Sequence, residues 1–298
     1  MNPVNEYIGP FLRRAFQPLV DAGFLEIVYG GAEVGRHLTA HPDIASVHLT
    51  GSAATYDAIV WGEDAGAKKA AGAAPPLGKR VGAELGCVTP YIIVPGPWSD
   101  ADLDYHAESV ATGLTHNAGH NCTKAEVVVT DRGWPLREKF LAALRCRLAA
   151  VPCRVAYYPG SDRRLDDFRR RFPDAEAVGE VGGGGAGAEA TPGTSEPPPA
   201  GARHADVRPG PWLLKTGLAP EAAATGGENW CGVLQEVALE GTGGDPAAFM
   251  AAAVDFANAR CWGTLSAALF IHPKTQVTAS DASASDQRYP AGRGNRRS

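Results

Sequence analysis

Nothing in this chain points to a membrane, a polyanion or a disulfide frame. No apolar run approaches the roughly 18 residues that a membrane helix needs, and Met1-Asn2-Pro3-Val4 does not begin a signal peptide. Charge is close to balance: 28 Lys and Arg against 33 Asp and Glu leave −5, so there is no basic field to attract nucleic acid or anionic lipid. The six cysteines, at 87, 122, 146, 153, 231 and 261, contain no C-x-x-C pair. That usage reads as reduced thiols in a cytosol rather than a disulfide frame or a zinc knuckle, and the expected location is cytoplasmic. The sequon Asn121-Cys122-Thr123 is discounted on the same ground.

What is present alternates between two hydrophobic periods. Phe11, Leu12, Ala15, Phe16 and Leu19 predict a helix over residues 9–23, strained or kinked at Pro18. Leu25 to Tyr29 reads as a short strand, turned by Gly30-Gly31 into a helix that runs to about Ala40. Ala45 to Leu49 reads as the next strand, and Thr50-Gly51-Ser52 opens a helix from Ala53 to Val60. This spacing predicts an α/β fold with a parallel sheet covered by helices. After a loose loop at 63–78 come strands at 81–85, 91–94 and 125–130, with helices at 100–114, 134–149 and 246–259. Residues 179–206 hold Gly182 to Gly185 and Pro197 to Pro199, a composition that cannot offset its ordering entropy and predicts a disordered insertion. The expected domains are a partial dinucleotide-binding domain at 1–84, a catalytic α/β domain at 85–274 and a loose tail at 275–298.

The chemistry is expected in His116-Asn117-Ala118-Gly119-His120-Asn121-Cys122-Thr123. A small-residue loop between a helix and a strand leaves backbone N–H groups to face a bound oxygen, and Cys122 stands at its end. Taken alone, a cysteine is more often a small buried hydrophobe than a nucleophile. Upstream, Glu84 closes an apolar run; without Cys122 it reads as a surface carboxylate at a strand end. Thr50 and Ser52 serve either as helix caps or as phosphate donors, and neither strand-to-helix turn carries G-x-G-x-x-G. His116, His120 and Cys122 have metal-ligand spacing only if 116–120 is helical, which Asn117 and Gly119 oppose, and no fourth ligand is evident; the expected metal is none.

Five segments together resemble the aldehyde dehydrogenase superfamily. Leu49-Thr50-Gly51-Ser52 is similar to its F-T-G-S, Glu84-Leu85-Gly86-Cys87 to E-L-G-G, and Asn117 to Cys122 to N-x-G-Q-x-C. Glu228-Asn229-Trp230-Cys231-Gly232-Val233 resembles E-x-F-G-P-V. Ala257-Asn258 with Trp262 to Ala267 resembles A-N-x-x-x-G-L-x-A. The matches keep the family's order over residues 2–273. The resemblance implies oxidation of an aldehyde to an acid through a thiohemiacetal and a thioester on Cys122, with Glu84 as the base for the hydrolytic water. It also implies NAD or NADP as cofactor, contacted at Gly30, Thr50, Gly51, Ser52, Leu85, Gly86, Glu228 and Trp230. From the residues alone, Glu228 is equally a loop acid and Trp230 equally a core aromatic.

Departures qualify the resemblance. His120 replaces Gln, Glu126 stands where a basic residue is common, and Cys87 replaces a Gly. The family's oxyanion asparagine and its cofactor-contacting lysine would fall before Met1, and the C-terminal strand that pairs subunits in its homo-oligomers has no match. The resemblance thus implies a partial member and a slow catalyst. Two alternatives stay open: a non-catalytic remnant that keeps the fold, and a thiol esterase that needs no cofactor.

Overall fold

The computed structural model of the chain describes residues 1, 5–179 and 210–276. The insertion expected at 179–206 and the tail expected at 275–298 lie almost wholly outside the described residues; 273–276 form one helical turn. The fold is α/β, in two compact units that divide between Gly86 and Cys87.

The first unit contains helices α1 (Gly9–Ala15), α2 (Gln17–Asp21), α3 (Ala32–Ala40), α4 (Ala53–Val60) and α5 (Ala65–Ala70), and strands β1 (Ser46–Gly51) and β2 (Arg80–Leu85). The single helix expected over 9–23 is two, because the chain leaves helical geometry at Phe16 and Pro18 falls in the first turn of α2. A proline there removes no hydrogen bond that the helix would have made. The strand expected at 25–29 does not form: those residues take no regular structure, and β1 and β2 pair only with each other among the described residues. An apolar alternating run becomes a strand only where a neighbour completes its ladder. The loop expected at 63–78 holds α5, whose Ala65, Ala67 and Ala70 have high helix propensity.

The second unit has a six-stranded sheet in the order β5-β6-β7-β4-β3-β8, from β3 (Thr89–Ile93), β4 (Ala125–Asp131), β5 (Glu176–Val178), β6 (Trp212–Leu218), β7 (Val233–Leu239) and β8 (Ala268–Phe270). Every pairing is parallel except β5 with β6. All seven residues of β4 and all seven of β7 are buried. Continuous burial is what a parallel strand covered on both faces requires, and Val127-Val128-Val129 supplies it. Val127 and Val129 enter one core with Phe249, Phe256 and Phe168, while Val128 enters the other with Leu114, Phe140 and Leu144. Helices α6 (Asp100–Thr115) and α7 (Arg137–Ala150) cover that second face; α9 (Pro246–Arg260) and α8 (Ser161–Arg171) contribute to the first.

Helix α6 is capped by Ser99. Ser99 Oγ accepts from Asp102 N (3.2 Å) and Asp102 Oδ2 accepts from Ser99 N (2.9 Å), a reciprocal box that satisfies two end donors. Polar residues also enter the sheet core, as a closed network. Arg137 donates to Glu236 through Nε (2.9 Å) and Nη2 (2.7 Å), and Gly217 N donates to the same carboxylate at 2.6 Å. Glu236 is fully buried. Removing one partner from such a pair leaves an uncompensated charge, so Arg137→Leu is expected to cost about 3–5 kcal/mol in urea unfolding. A second change, Glu236→Leu, in that background should recover much of the loss; additive losses would show that the pair is not coupled.

Candidate active site

In the first unit, β1 and β2 run side by side with Thr50 opposite Glu84 and Gly51 opposite Leu85. Of the residues expected to touch cofactor, Thr50, Gly51, Ser52, Leu85 and Gly86 thus lie at or just past the carboxyl ends of two parallel strands, where ligands bind in open α/β sheets. Ser52 is the N-cap of α4: its Oγ accepts from Thr55 N at 3.1 Å and lies 2.9 Å from Thr55 Oγ1. Glu84 is exposed on its strand. Gly30 sits ahead of α3, where an added Cβ would lie 2.4 Å from Val34 Cγ2. Gly86 is buried and Leu85 half-buried.

In the second unit, α6 ends at Thr115 and the chain makes one tight turn, 116–119, before reaching Cys122. Two non-glycine residues in that turn are left-handed, Asn117 (φ 52°) and Ala118 (φ 55°). Left-handed backbone costs an L-residue roughly 1–2 kcal/mol and persists only where surroundings over-determine it. Here they do. Asn117 Nδ2 donates to His120 O (3.0 Å), Tyr157 Oη donates to Asn117 Oδ1 (3.0 Å), and His120 N donates to Asn117 O (3.0 Å). Gly119 follows at φ 80°, where a Cβ would lie 2.6 Å from the carbonyl oxygen of Cys231. The glycine is therefore required twice over, by its dihedral and by the close backbone. Cys122 is half-buried, and its carbonyl oxygen lies 4.0 Å from the Cys87 thiol.

A buried ion pair joins this loop to residues 228–233. Lys124 and Glu126 are each 2% exposed and 3.1 Å apart. Lys124 Nζ also donates to Asn229 O (2.6 Å) and Cys231 O (3.0 Å), and Glu126 accepts from Asn229 N (2.8 Å). Glu228 is half-buried, and burial raises its carboxyl pKa against an opposing hydrogen bond from Trp230. Trp230 packs on Tyr158 (centroids 5.1 Å apart), and His120 lies 6.3 Å beyond. Cys122, Glu228 and Trp230 thus belong to adjoining segments of one unit, whereas Glu84, Thr50 and Ser52 belong to the other.

The metal spacing of His116, His120 and Cys122 dissolves in this geometry. The turn is not helical across 117 and 118, His116 Nδ1 is 2.8 Å from Asn121 Nδ2, and both ring nitrogens of His120 are engaged. Sequence reasoning missed Lys124, Tyr157, Tyr158 and Ser161. Glu126, a polar residue inside an apolar strand run, was the one available signal of a buried partner.

Two substitutions in the turn should act in opposite directions. Ala118→Gly relieves left-handed strain and is expected to stabilise by up to about 1 kcal/mol; Gly119→Ala is expected to cost at least ~1–3 kcal/mol. Thermal melts check both, and equal signs would refute the strain. Burial also holds the His120 pKa below its ordinary value, against the hydrogen bond to Asn117. A depressed histidine contributes stability that is complete above about pH 6.5 and is lost as pH falls from there toward the folded-state value. His120→Gln should therefore flatten stability against pH below about 6.5, leaving the share of His106, also lowered by burial.

Comparison with known proteins covers part of these segments: the sequence matches reach the loop before Cys122 but not residues 228–233. A sequence model of the aldehyde dehydrogenase family matches residues 8–156. Betaine aldehyde dehydrogenase 2 of Rhizobium meliloti (strain 1021) is 35% identical over 129 residues, 43% of this chain and 23% of the relative. Betaine aldehyde dehydrogenase of Rhizobium etli (strain CIAT 652) is 33% identical over the same shares. Among solved structures, lactaldehyde dehydrogenase from Escherichia coli superposes with TM-score 0.59 at 21% identity, over 90% of this chain and 51% of that one. A gamma-glutamyl-gamma-aminobutyraldehyde dehydrogenase from Burkholderia cenocepacia J2315 gives 0.55 at 23%, over 86% and 45%. The structural likeness is one of fold. The matched stretch is about a quarter of the curated relatives' length, and the chain spans about half of each solved structure.

Proposed function

Because the chain belongs to the aldehyde dehydrogenase family, we propose that it oxidises an aldehyde to a carboxylic acid with NAD or NADP, using Cys122 as nucleophile and Glu84 as hydrolytic base. The observation that carries the reading is the strained turn 117–119, which two neighbouring segments hold in place directly before a half-buried thiol. Strain maintained at such cost is typical of a functional site.

The residues suit the cofactor at two places. Thr50, Gly51 and Ser52 lie at the carboxyl end of β1, where the first turn of α4 offers N–H groups to a pyrophosphate. Glu228 and Trp230 offer a carboxyl for a ribose hydroxyl and an aromatic face for the nicotinamide. When bound, the cofactor supplies the hydride acceptor. The protein residues do the rest. The Cys122 thiolate adds to the carbonyl carbon, and backbone N–H groups of its loop stabilise the oxyanion. Once the carbon is at the thioester level, Glu84 takes a proton from water as the water attacks, and the Cys122 thiolate leaves with the acid released.

The six thiols differ enough for a direct test. Cys87 and Cys231 are buried, and burial pushes Cys231 to about 11. Cys261 is pushed up to about 12 by burial and then by Cys87, and burial raises Cys153. Cys146 is the exposed competitor. Brief treatment with limiting iodoacetamide, mapped by mass spectrometry, should modify Cys122 before Cys146; faster reaction at Cys146 would remove the main support for the assignment.

A kinetic test separates the two roles. Cys122→Ser should abolish formation of reduced cofactor from an aldehyde. Glu84→Gln should keep a pre-steady-state burst of reduced cofactor while acid release slows. Loss of the burst along with turnover would place Glu84 in thiolate activation or in the fold. Hydrolysis of an activated ester without aldehyde oxidation would favour the thiol esterase instead.

A further inference from the structure

His120 stands where the family motif carries Gln, and its side chain does not open onto solvent: the residue is 3% exposed. Its nitrogens end on groups of different hydrogen-bonding capacity. Nδ1 is 3.0 Å from Asn117 O, which can only accept, so Nδ1 carries a hydrogen. Nε2 is 2.7 Å from Ser161 Oγ, at the first residue of α8, and Ser161 is fully buried. That hydroxyl has one hydrogen and three acceptors within reach: His120 Nε2, Tyr158 O (2.7 Å) and Trp230 O (3.2 Å). Tyr157 meets the imidazole edge-on at 5.0 Å and Tyr158 stacks on it at 5.6 Å, so the ring has one orientation.

The charged surroundings favour a neutral ring. Lys124 beside β4 and Arg164 on α8 both act against a second proton, in the same direction as burial. Glu228, across Trp230, is itself drawn toward its neutral form by burial. His116, on the same loop, is turned to Asn121. In a neutral ring Nε2 holds a lone pair, which takes the Ser161 hydrogen.

We propose that His120 is a positioning residue: as the Nδ1–H tautomer it bridges Asn117, on the strained turn, to Ser161, at the start of α8, and so holds the Asn117–Cys122 loop in the conformation that presents Cys122. The inference rests on Cys122 being the reactive thiol and adds how that thiol is presented. Ser161 lies 39 positions beyond Cys122 (161 − 122), in no segment that resembles the family motifs. A glutamine at 120 retains one donor and one acceptor and can make the same bridge.

Two measurements on the full chain test it. Long-range ¹⁵N–¹H correlation of histidine-labelled protein at pH 7.5 should show His120 protonated at Nδ1, the minor tautomer of free histidine. In Ser161→Ala the Nε2 resonance should move toward that of a nitrogen without a hydrogen bond. The second measurement is the ratio of iodoacetamide reaction at Cys122 to that at Cys146. Ser161→Ala and His120→Ala should lower it at least tenfold, toward unity, and His120→Gln should keep it within about twofold of the parent. Misplacing a reacting group by 1 Å elsewhere costs on the order of 10²-fold. A ratio unchanged in both alanine variants, or an Nε2–H tautomer, overturns the proposal even if the variants melt earlier. If His120→Ala does not fold, Ser161→Ala and the parent tautomer still decide. A parent ratio near unity defeats the reading of Cys122 as nucleophile instead, while the tautomer result stands apart from it.

Discussion

The arrangement of the second unit depends on one buried ion pair, Lys124 with Glu126. Neither charge reaches solvent, so each is tolerable only with its partner and a full set of hydrogen bonds. Those bonds run mainly to the backbone of Asn229, Cys231 and Val233, and the Asn229 side-chain amide adds one to Glu126. Carbonyl and N–H positions on the 228–233 segment are therefore dictated by where the start of β4 and the residue before it place the two charges. The same segment supplies the oxygen of Cys231 that excludes a side chain at Gly119. One electrostatic requirement thus reaches from the core strand to the turn before Cys122.

Strain and packing balance in that turn. Three successive residues with positive φ would unravel if exposed to water, where Asn117 and Ala118 could relax to right-handed backbone at a gain of roughly 1–2 kcal/mol each. They stay because Tyr157, His120 and Cys231 each occupy the space or the hydrogen bond that relaxation would need. The aromatic group around His120 acts as a wall as well as a ligand set. Its rings come from the turn, from 157–158 and from 230, so no single segment defines it.

Beneath the loop, the sheet provides rigidity. Both faces of β4 and β7 are covered, so neither strand can shift register without moving apolar residues between two separate cores. The Arg137–Glu236 network takes in Thr130 of β4, which donates to Glu236 of β7, and so adds directional bonds across that packing. Loops at the ends of such strands inherit the precision of the platform.

Local patterns were enough for the elements whose stability is local. Helix α6 with its Ser99 cap, α4 opening at Ser52, and the all-apolar run of β4 each follow from period, capping chemistry and composition. The motif residues Asn117, Gly119 and Cys122, read against a known family, also marked out the loop whose turn is left-handed at Asn117 and Ala118. Long-range partners were not legible. Residues 25–29 have a strand pattern and, among the described residues, no strand to pair with, while α8, rich in Arg and Asp, becomes a helix by burying only Ser161, Leu165 and Phe168. Glu126 looked like an anomaly in its strand until Lys124 and Asn229 stood beside it. His120 has the spacing of a metal ligand, but both of its ring nitrogens are taken up by Asn117 and Ser161, which the spacing does not show. The physical reason is common to all four. Helix caps and hydrophobic periods are written within a few residues, but a ladder partner, a counter-charge or a hydrogen-bond acceptor arrives from distant chain, and only the folded backbone brings it within 3 Å.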